Sequence, residues 1–149
     1  MADLKTPRFA IPLLASGQAH KELFHNEALS RVDFLMHPIV QSIETDPANV
    51  VPVAGQAWLV GSGGVNAWLD HDDEIAGWTG SGWLFFAPPT SMRVYIESED
   101  IFAIYRGSWQ MHASIGSPAA GAVIDVEARS AIDSILDALL THGIVQSGL

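Results

Sequence analysis

All five tryptophans, Trp58, Trp68, Trp78, Trp83 and Trp109, fall in one stretch between Gln56 and His112. Turn-forming groups interrupt that stretch repeatedly: Gly61-Ser62-Gly63-Gly64, Gly80-Ser81, Pro88-Pro89, Ser98-Glu99-Asp100 and Gly107. Within it the period changes from helical to alternating, the mark of short strands. Strands are expected near Gln56 to Val60, Glu74 to Thr79, Gly82 to Ala87, Met92 to Glu97, Ile101 to Arg106 and Ser108 to His112. Their short gaps imply antiparallel hairpins in a meander. Met92, Val94 and Ile96 alternate with Arg93, Tyr95 and Glu97, giving one buried and one exposed face. The same alternation splits Phe85 from Phe86 and places Trp83 with Phe85. One face of one meander cannot hold every ring, so some rings face helices, another subunit or a ligand.

On either side the period is helical. Pro7 and Pro12 disfavour helix in residues 1–15 and suit an extended arm lying on a neighbouring surface. Ser16 can cap a helix from about Gly17 to His37, with Leu23, Phe24, Ala28, Val32, Leu35, Met36 and Ile39 as its apolar stripe and Lys21, Glu22, Asn26, Glu27, Ser30, Arg31 and Asp33 as its polar face. Pro38 marks its end or a kink. Ile115 to Gly121 has linker composition, and Val126 to His142 reads as a second amphipathic helix closed by Gly143. The expected fold is α+β: a small antiparallel β meander, as a sheet or partly open barrel, flanked by an N-terminal arm plus helix and a C-terminal helix. Its divisions are 1–55 for arm and helix, 56–114 for the Trp-rich β domain, and 115–149 for linker and C-terminal helix.

Composition narrows the partners. Seven Lys+Arg against 17 Asp+Glu give a formal net charge of -10, which opposes binding to nucleic acid or anionic membranes. No apolar run reaches the roughly 18 residues needed to span a bilayer. Hydrophobic residues make up 48% of the chain and charged residues 16%, more apolar surface than a small core can hide. Burial against other copies is the usual outlet, so a homo-oligomer is expected. Phe9, Ile11, Leu13 and Leu14 on the arm and Ile132, Ile135, Leu136 and Leu139 on the second helix are the candidate subunit contacts.

Chemistry finds little footing. There are no cysteines, so thiolate catalysis, disulfides and Cys-ligated zinc are excluded. His20 and His25 lack the one-turn spacing of a helical metal pair. The acidic turn Asp70-His71-Asp72-Asp73-Glu74 lacks the spacing of a calcium loop and reads as a solvated turn with an Asp cap. The Gly61 to Gly64 loop has no Lys-Ser/Thr after it, and no G-x-S-x-G elbow occurs. No catalytic, cofactor or metal residues are assigned, no cofactor is expected, and the chain is not read as an enzyme; a hydrolase using the acids from Asp70 to Glu74 is the third reading. Trp68, Trp78, Trp83, Tyr95 and Trp109 are the candidate face for a partner protein or a glycan, with core packing the alternative for any one ring.

Three N-terminal segments carry a resemblance: Thr6-Pro7-Arg8-Phe9-Ala10-Ile11-Pro12-Leu13-Leu14, Gly17-Gln18-Ala19-His20-Lys21-Glu22, and Asn26-Glu27-Ala28-Leu29 with Asp33. Ala67-Trp68, His71-Asp72, Ile75-Ala76-Gly77-Trp78, Gly82-Trp83, Ala87-Pro88 and Thr141-His142-Gly143-Ile144 extend it along the chain. Together these segments resemble an uncharacterised family of phage-like particle proteins, tail, fibre or head-spike components, of α-proteobacterial prophages and gene transfer agents. The resemblance implies an oligomeric spike or fibre base, or an adaptor for host attachment, with capsid, tail or fibre proteins as partners and assembly into particles in the bacterial cytoplasm. A receptor-binding extension is expected to be carried by a separate fibre. The alternative is a carbohydrate-binding module that recognises surface polysaccharide through exposed aromatics.

Overall fold

In the computed structural model, residues 4–17, 20–119 and 125–146 are described. The first residues of the arm, Gln18 and Ala19 within the expected first helix, and the end of the expected linker lie outside them. The architecture is α+β, with a helix on each side of the strands in chain order: α1 (Lys21–Leu35), then β1 (Ile39–Val40), β2 (Ile43–Glu44), β3 (Ala57–Val60), β4 (Ile75–Trp78), β5 (Trp83–Phe86), β6 (Arg93–Ile96), β7 (Ile101–Tyr105) and β8 (Trp109–Gln110), then α2 (Val126–Thr141). All six strands expected from the sequence are present. They do not form one meander, however, but divide into two four-stranded mixed sheets, ordered β2-β3-β4-β5 and β1-β6-β7-β8.

The division comes from two strands that the sequence pattern does not announce. Pro38 stops the helical run, and residues 39–44 continue extended. Their first half, β1, pairs parallel with β6, and their second half, β2, pairs parallel with β3. Between the halves the Gln41 amide donates to the Ala57 carbonyl at 2.7 Å, and the Leu59 amide donates to Ser42 at 3.0 Å, so the segment passes from one sheet to the other at a corner. The 87–92 segment makes the second crossing. Within each sheet the connections are the expected antiparallel ones: β4–β5 closes at the Trp78–Trp83 pair, β6–β7 at Ile96–Ile101, and β7–β8 turns at Gly107.

The sheets face each other across a core of Val40, Ala57, Leu59, Ile75, Phe86, Val94, Ile96 and Ala103, into which α1 inserts Phe34. Phe34 lies flat on Gly77: a Cβ there would come within 2.9 Å of the phenyl ring. Glycine in the middle of β4 thus opens the slot that fixes the helix to the sandwich.

Helix α1 is docked the other way round from the sequence expectation. Its polar side meets the arm, while Leu23, Phe24, Val32, Leu35 and Met36 stay exposed. The arm is not extended over a neighbouring surface but folds on itself, with a Lys5–Pro12 bridge and backbone bonds from Thr6 to Ile11 and from Leu13 to Leu4. Asp33, fully buried, accepts from the Thr6 hydroxyl at 2.5 Å and from the Arg8 and Phe9 amides at 3.0 and 2.8 Å. Asn26 pairs with both the amide and the carbonyl of Leu14, at 2.9 and 3.0 Å. Arg8 donates to the carbonyls of Phe34 and His37 at the end of the helix, at 3.0 and 2.9 Å. A polar stripe can thus be an inward stripe when the opposing element is backbone with unpaired donors.

Helix α2 follows the expectation closely. Asp125 caps it by accepting from the Ala128 amide at 2.8 Å. At its end Gly143, at φ 61°, donates to Leu140, and Ile144 donates to Leu139, the paired bonds of a Schellman cap. Residues 143–146 then run beside β7, where the Phe102 amide donates to Gly143 at 2.7 Å. Leu136 is the buried residue of α2, and Val126, Ile132 and Ile135 remain exposed. No helix among the described residues is long and apolar enough to cross a membrane.

Candidate functional site

Alternation along β3, β4 and β5 sends Trp58, Ala76, Trp78, Trp83 and Phe85 to the side of their sheet facing away from the main core. Trp68 reaches the same side from the long loop between β3 and β4, on a 3-10 turn at Asn66–Trp68. Trp83 is the hub. Its ring centroid lies 5.7 Å from Trp58, 5.1 Å from Trp68 and 4.9 Å from Trp78, all edge-on or tilted, the arrangements favoured by ring quadrupoles. With Val60, Ala76 and Val50 these rings make a second, smaller core outside the sandwich.

The loop that delivers Trp68 is tied down by polar groups. Both oxygens of the Asp72 carboxylate accept backbone amides, from Gly63 and Gly64, each at 2.8 Å. Those two bonds hold its pKa below the usual aspartate value. Gly64 is required by contact: a Cβ would meet the Trp68 carbonyl at 2.5 Å. Asn66 donates to Asp46 at 2.9 Å, and Asp46 also accepts from the Ala48 amide at 2.9 Å, bonds that lower the Asp46 pKa, the Ala48 bond most. His71 stacks on Phe85 at 3.5 Å and bonds through Nδ1 to Glu74 at 2.7 Å. The acidic turn therefore closes a loop over the aromatic cluster, with Asp72 as its clasp.

The five residues expected to form one recognition face are split among three places. Trp68 is 0% exposed and belongs to the interior of the second core, so it offers no face to a ligand. Its Nε1 is buried without a hydrogen-bond partner among the described residues, at a cost of about 1–3 kcal/mol. Trp78 and Trp83 are half-buried and show only part of their rings at the rim. Trp109 packs on the core side of the other sheet, stacks edge-on with Tyr105 at 5.3 Å and donates from Nε1 to the Asp73 carbonyl at 2.9 Å, which joins the two sheets. Tyr95 lies on the outer face of that sheet beside Phe102, with its ring centroid 5.1 Å away and its hydroxyl donating to Asp100. That hydrogen bond is the main cause raising the Tyr95 pKa.

The family model described as "Protein of unknown function (DUF2793)" matches residues 25–110, more than half of the chain. The chain belongs to the DUF2793 family. The DUF2793 region starts inside α1 and ends on β8, so it contains both sheets and the whole tryptophan cluster. The arm and α2 flank it. No curated protein matches the chain.

Of the expected subunit contacts, Phe9, Ile132 and Ile135 are exposed, while Ile11, Leu13, Leu14 and Leu139 are half-buried. Leu136 is buried within the chain's own fold and is not free to meet another copy. Sequence reasoning missed the most exposed apolar residues of α1. Phe24 is 80% exposed and Leu23 63%, beside Met36 at 61%.

Proposed function

We propose that this DUF2793 protein is a structural component of a phage-like particle, an oligomeric base or adaptor for a spike or fibre that serves host attachment. The observation that carries the reading is the apolar surface left on both helices: Leu23, Phe24 and Met36 on α1, Val126, Ile132 and Ile135 on α2. Single exposed apolar residues are ordinary, but such groups on two helices flanking one small sandwich are a liability unless another subunit or particle protein covers them. Fully burying each such side chain yields ~1.5–3 kcal/mol, so a handful per subunit supports a stable assembly. The resemblance to prophage and gene-transfer-agent proteins supplies the setting, and the fixed loops and interlocked rings suit a rigid mechanical part. In this reading the protein is made in the bacterial cytoplasm, and its partners are further copies of itself and capsid, tail or fibre proteins.

The test is multi-angle light scattering of the purified chain across a wide concentration range, alone and with Phe24→Ser and Ile135→Ser substitutions. A discrete oligomer is expected. The substitutions, made at exposed positions, leave the melting temperature of the isolated subunit nearly unchanged and shift the mass toward the monomer. A wild-type monomer at every concentration overturns the oligomeric reading.

A further inference from the structure

The outer face of the β1-β6-β7-β8 sheet carries a concave pocket of about 490 Å³, within the ~300–1,000 Å³ range of small-ligand sites. Register and alternation explain its lining. Arg93, Ile104 and Gln110 stand opposite one another across β6, β7 and β8, with Phe102 two residues before Ile104 on β7 and Arg106 just past the end of that strand. His112 and His142 complete the rim, the latter from the end of α2. In a chain with 17 acidic and seven Lys+Arg side chains, the described residues that line this pocket include two arginines, two histidines and no carboxylate. Among the described residues neither the Arg93 nor the Arg106 guanidinium has a hydrogen-bond or ion-pair partner. By contrast, Arg8 and Arg31 are both engaged, with backbone carbonyls and with Glu27. The carbonyls at the end of α2 are taken up by Gly143 and Ile144, which mutes the negative end of that helix beside the pocket.

The floor is apolar. Phe102 is 40% exposed and its ring is steadied by Tyr95, with Ile104 and Ile144 beside it. Guanidinium forks match the planar geometry of a carboxylate, and an aromatic face with aliphatic neighbours takes the C–H face of a ring. An ion without an apolar body leaves that floor unused, and an extended acidic peptide does not need a concave site. We infer that the pocket binds a ring-bearing carboxylate of single-sugar size, an acidic sugar of the uronate class, with Arg93 and Arg106 on the carboxylate, Phe102 under the ring, and Gln110, His112 and His142 toward the hydroxyls. Such binding neither needs nor opposes particle assembly.

The experiment is a titration of the full-length, isotopically labelled chain with D-glucuronate, followed by backbone amide shifts, with D-glucose, inorganic phosphate and a glutamate-rich peptide as parallel probes. D-glucuronate is expected to shift amides of β6, β7, β8 and residues 142–144 in a saturable way. Loss of a charge-assisted bond in Arg93→Gln or Arg106→Gln weakens it by about tenfold. Phe102→Ala weakens it as well, and glucose, which lacks the carboxylate, binds at least tenfold less tightly. All three residues are exposed, and unchanged amide spectra away from the pocket verify that each variant is folded. Absence of saturable shifts with D-glucuronate overturns the assignment. Phosphate or the peptide binding as well as D-glucuronate, with Phe102→Ala without effect, also overturns it by reducing the pocket to a bare cationic patch. Because the readout is binding by the chain itself, the result is independent of its oligomeric state.

Discussion

Replacing Asp33 by alanine tests the inverted docking of α1 most directly. The carboxylate has no solvent exposure and accepts three hydrogen bonds, from the Thr6 hydroxyl and the Arg8 and Phe9 amides. Bonds to a charged acceptor contribute ~1.5–3 kcal/mol each, which sets a gross upper bound of several kcal/mol for the three. That bound is not reached, because the arm can swing away and its donors can return to water. The loss is therefore limited to the free energy that holds the arm to α1, and the sandwich core, with which Asp33 shares no hydrogen bond, keeps its own stability. About 3 kcal/mol of arm docking remains a reasonable share of the gross figure, equal to roughly two orders of magnitude in the opening equilibrium.

Amide hydrogen exchange reads this by region. In Asp33→Ala the amides of Thr6, Leu13 and Leu14, which bond within the arm or to Asn26, are expected to lose about a hundredfold in protection, while those of β3, β4, β6 and β7 stay as in the wild type. Asp33→Asn keeps the shape and one acceptor oxygen but brings an NH₂ where an acceptor stood, so it is expected to fall between the two. Unchanged arm protection in Asp33→Ala refutes the reasoning. So would a uniform loss across both sheets, since it would make the arm part of the main cooperative unit instead of a clip on α1.

Gly77→Ala places a methyl within 2.9 Å of the Phe34 ring, so Phe34 must shift out of its slot. A loss of about 1–3 kcal/mol is expected in denaturant unfolding, and a compensating Phe34→Leu should recover part of it. The Asp72 clasp makes the loop sensitive to acid. Its folded pKa lies below the ordinary aspartate value, so its stabilising effect is fully present above about pH 4 and is lost as pH falls through the lowered value. The Gly63 and Gly64 amide resonances should move in that acid range in the wild type and not in Asp72→Asn; titration of those amides near neutral pH would contradict the assignment.

The strands and α2 were legible because their signals are local. Glycine- and proline-marked turns, alternation in Met92 to Glu97, the apolar stripe of α2 and its Gly143 cap each depend on neighbours in sequence. What was not legible depends on partners far along the chain. Ile39-Val40 and Ile43-Glu44 are too short to show a period, and only their parallel partners Tyr95-Ile96 and Leu59-Val60 make them strands. The outward stripe of α1 is not legible because a buried aspartate looks like a surface one until Thr6, Arg8 and Phe9 fold over it. The burial of Trp68 is not legible either, because a loop residue carries no alternation to say which way it points. Arg93 was on the expected exposed face, yet its meeting with Arg106, His112 and His142 needed the β7 register and the end of α2.

The arrangement of strands also decides how such a protein can associate. Three of the four sheet edges, β1, β2 and β8, are two residues long, too short to template a neighbouring strand. The fourth edge, β5, is approached by Arg31, whose guanidinium donates to the Phe85 carbonyl at 3.3 Å and lies 5.6 Å from the Phe86 ring. Edge-to-edge pairing is therefore disfavoured at each edge. A net charge of -10 also opposes the approach of like copies over most of the surface. In the proposed assembly, the exposed apolar residues of α1 and α2 are the surfaces where desolvation would outweigh that repulsion.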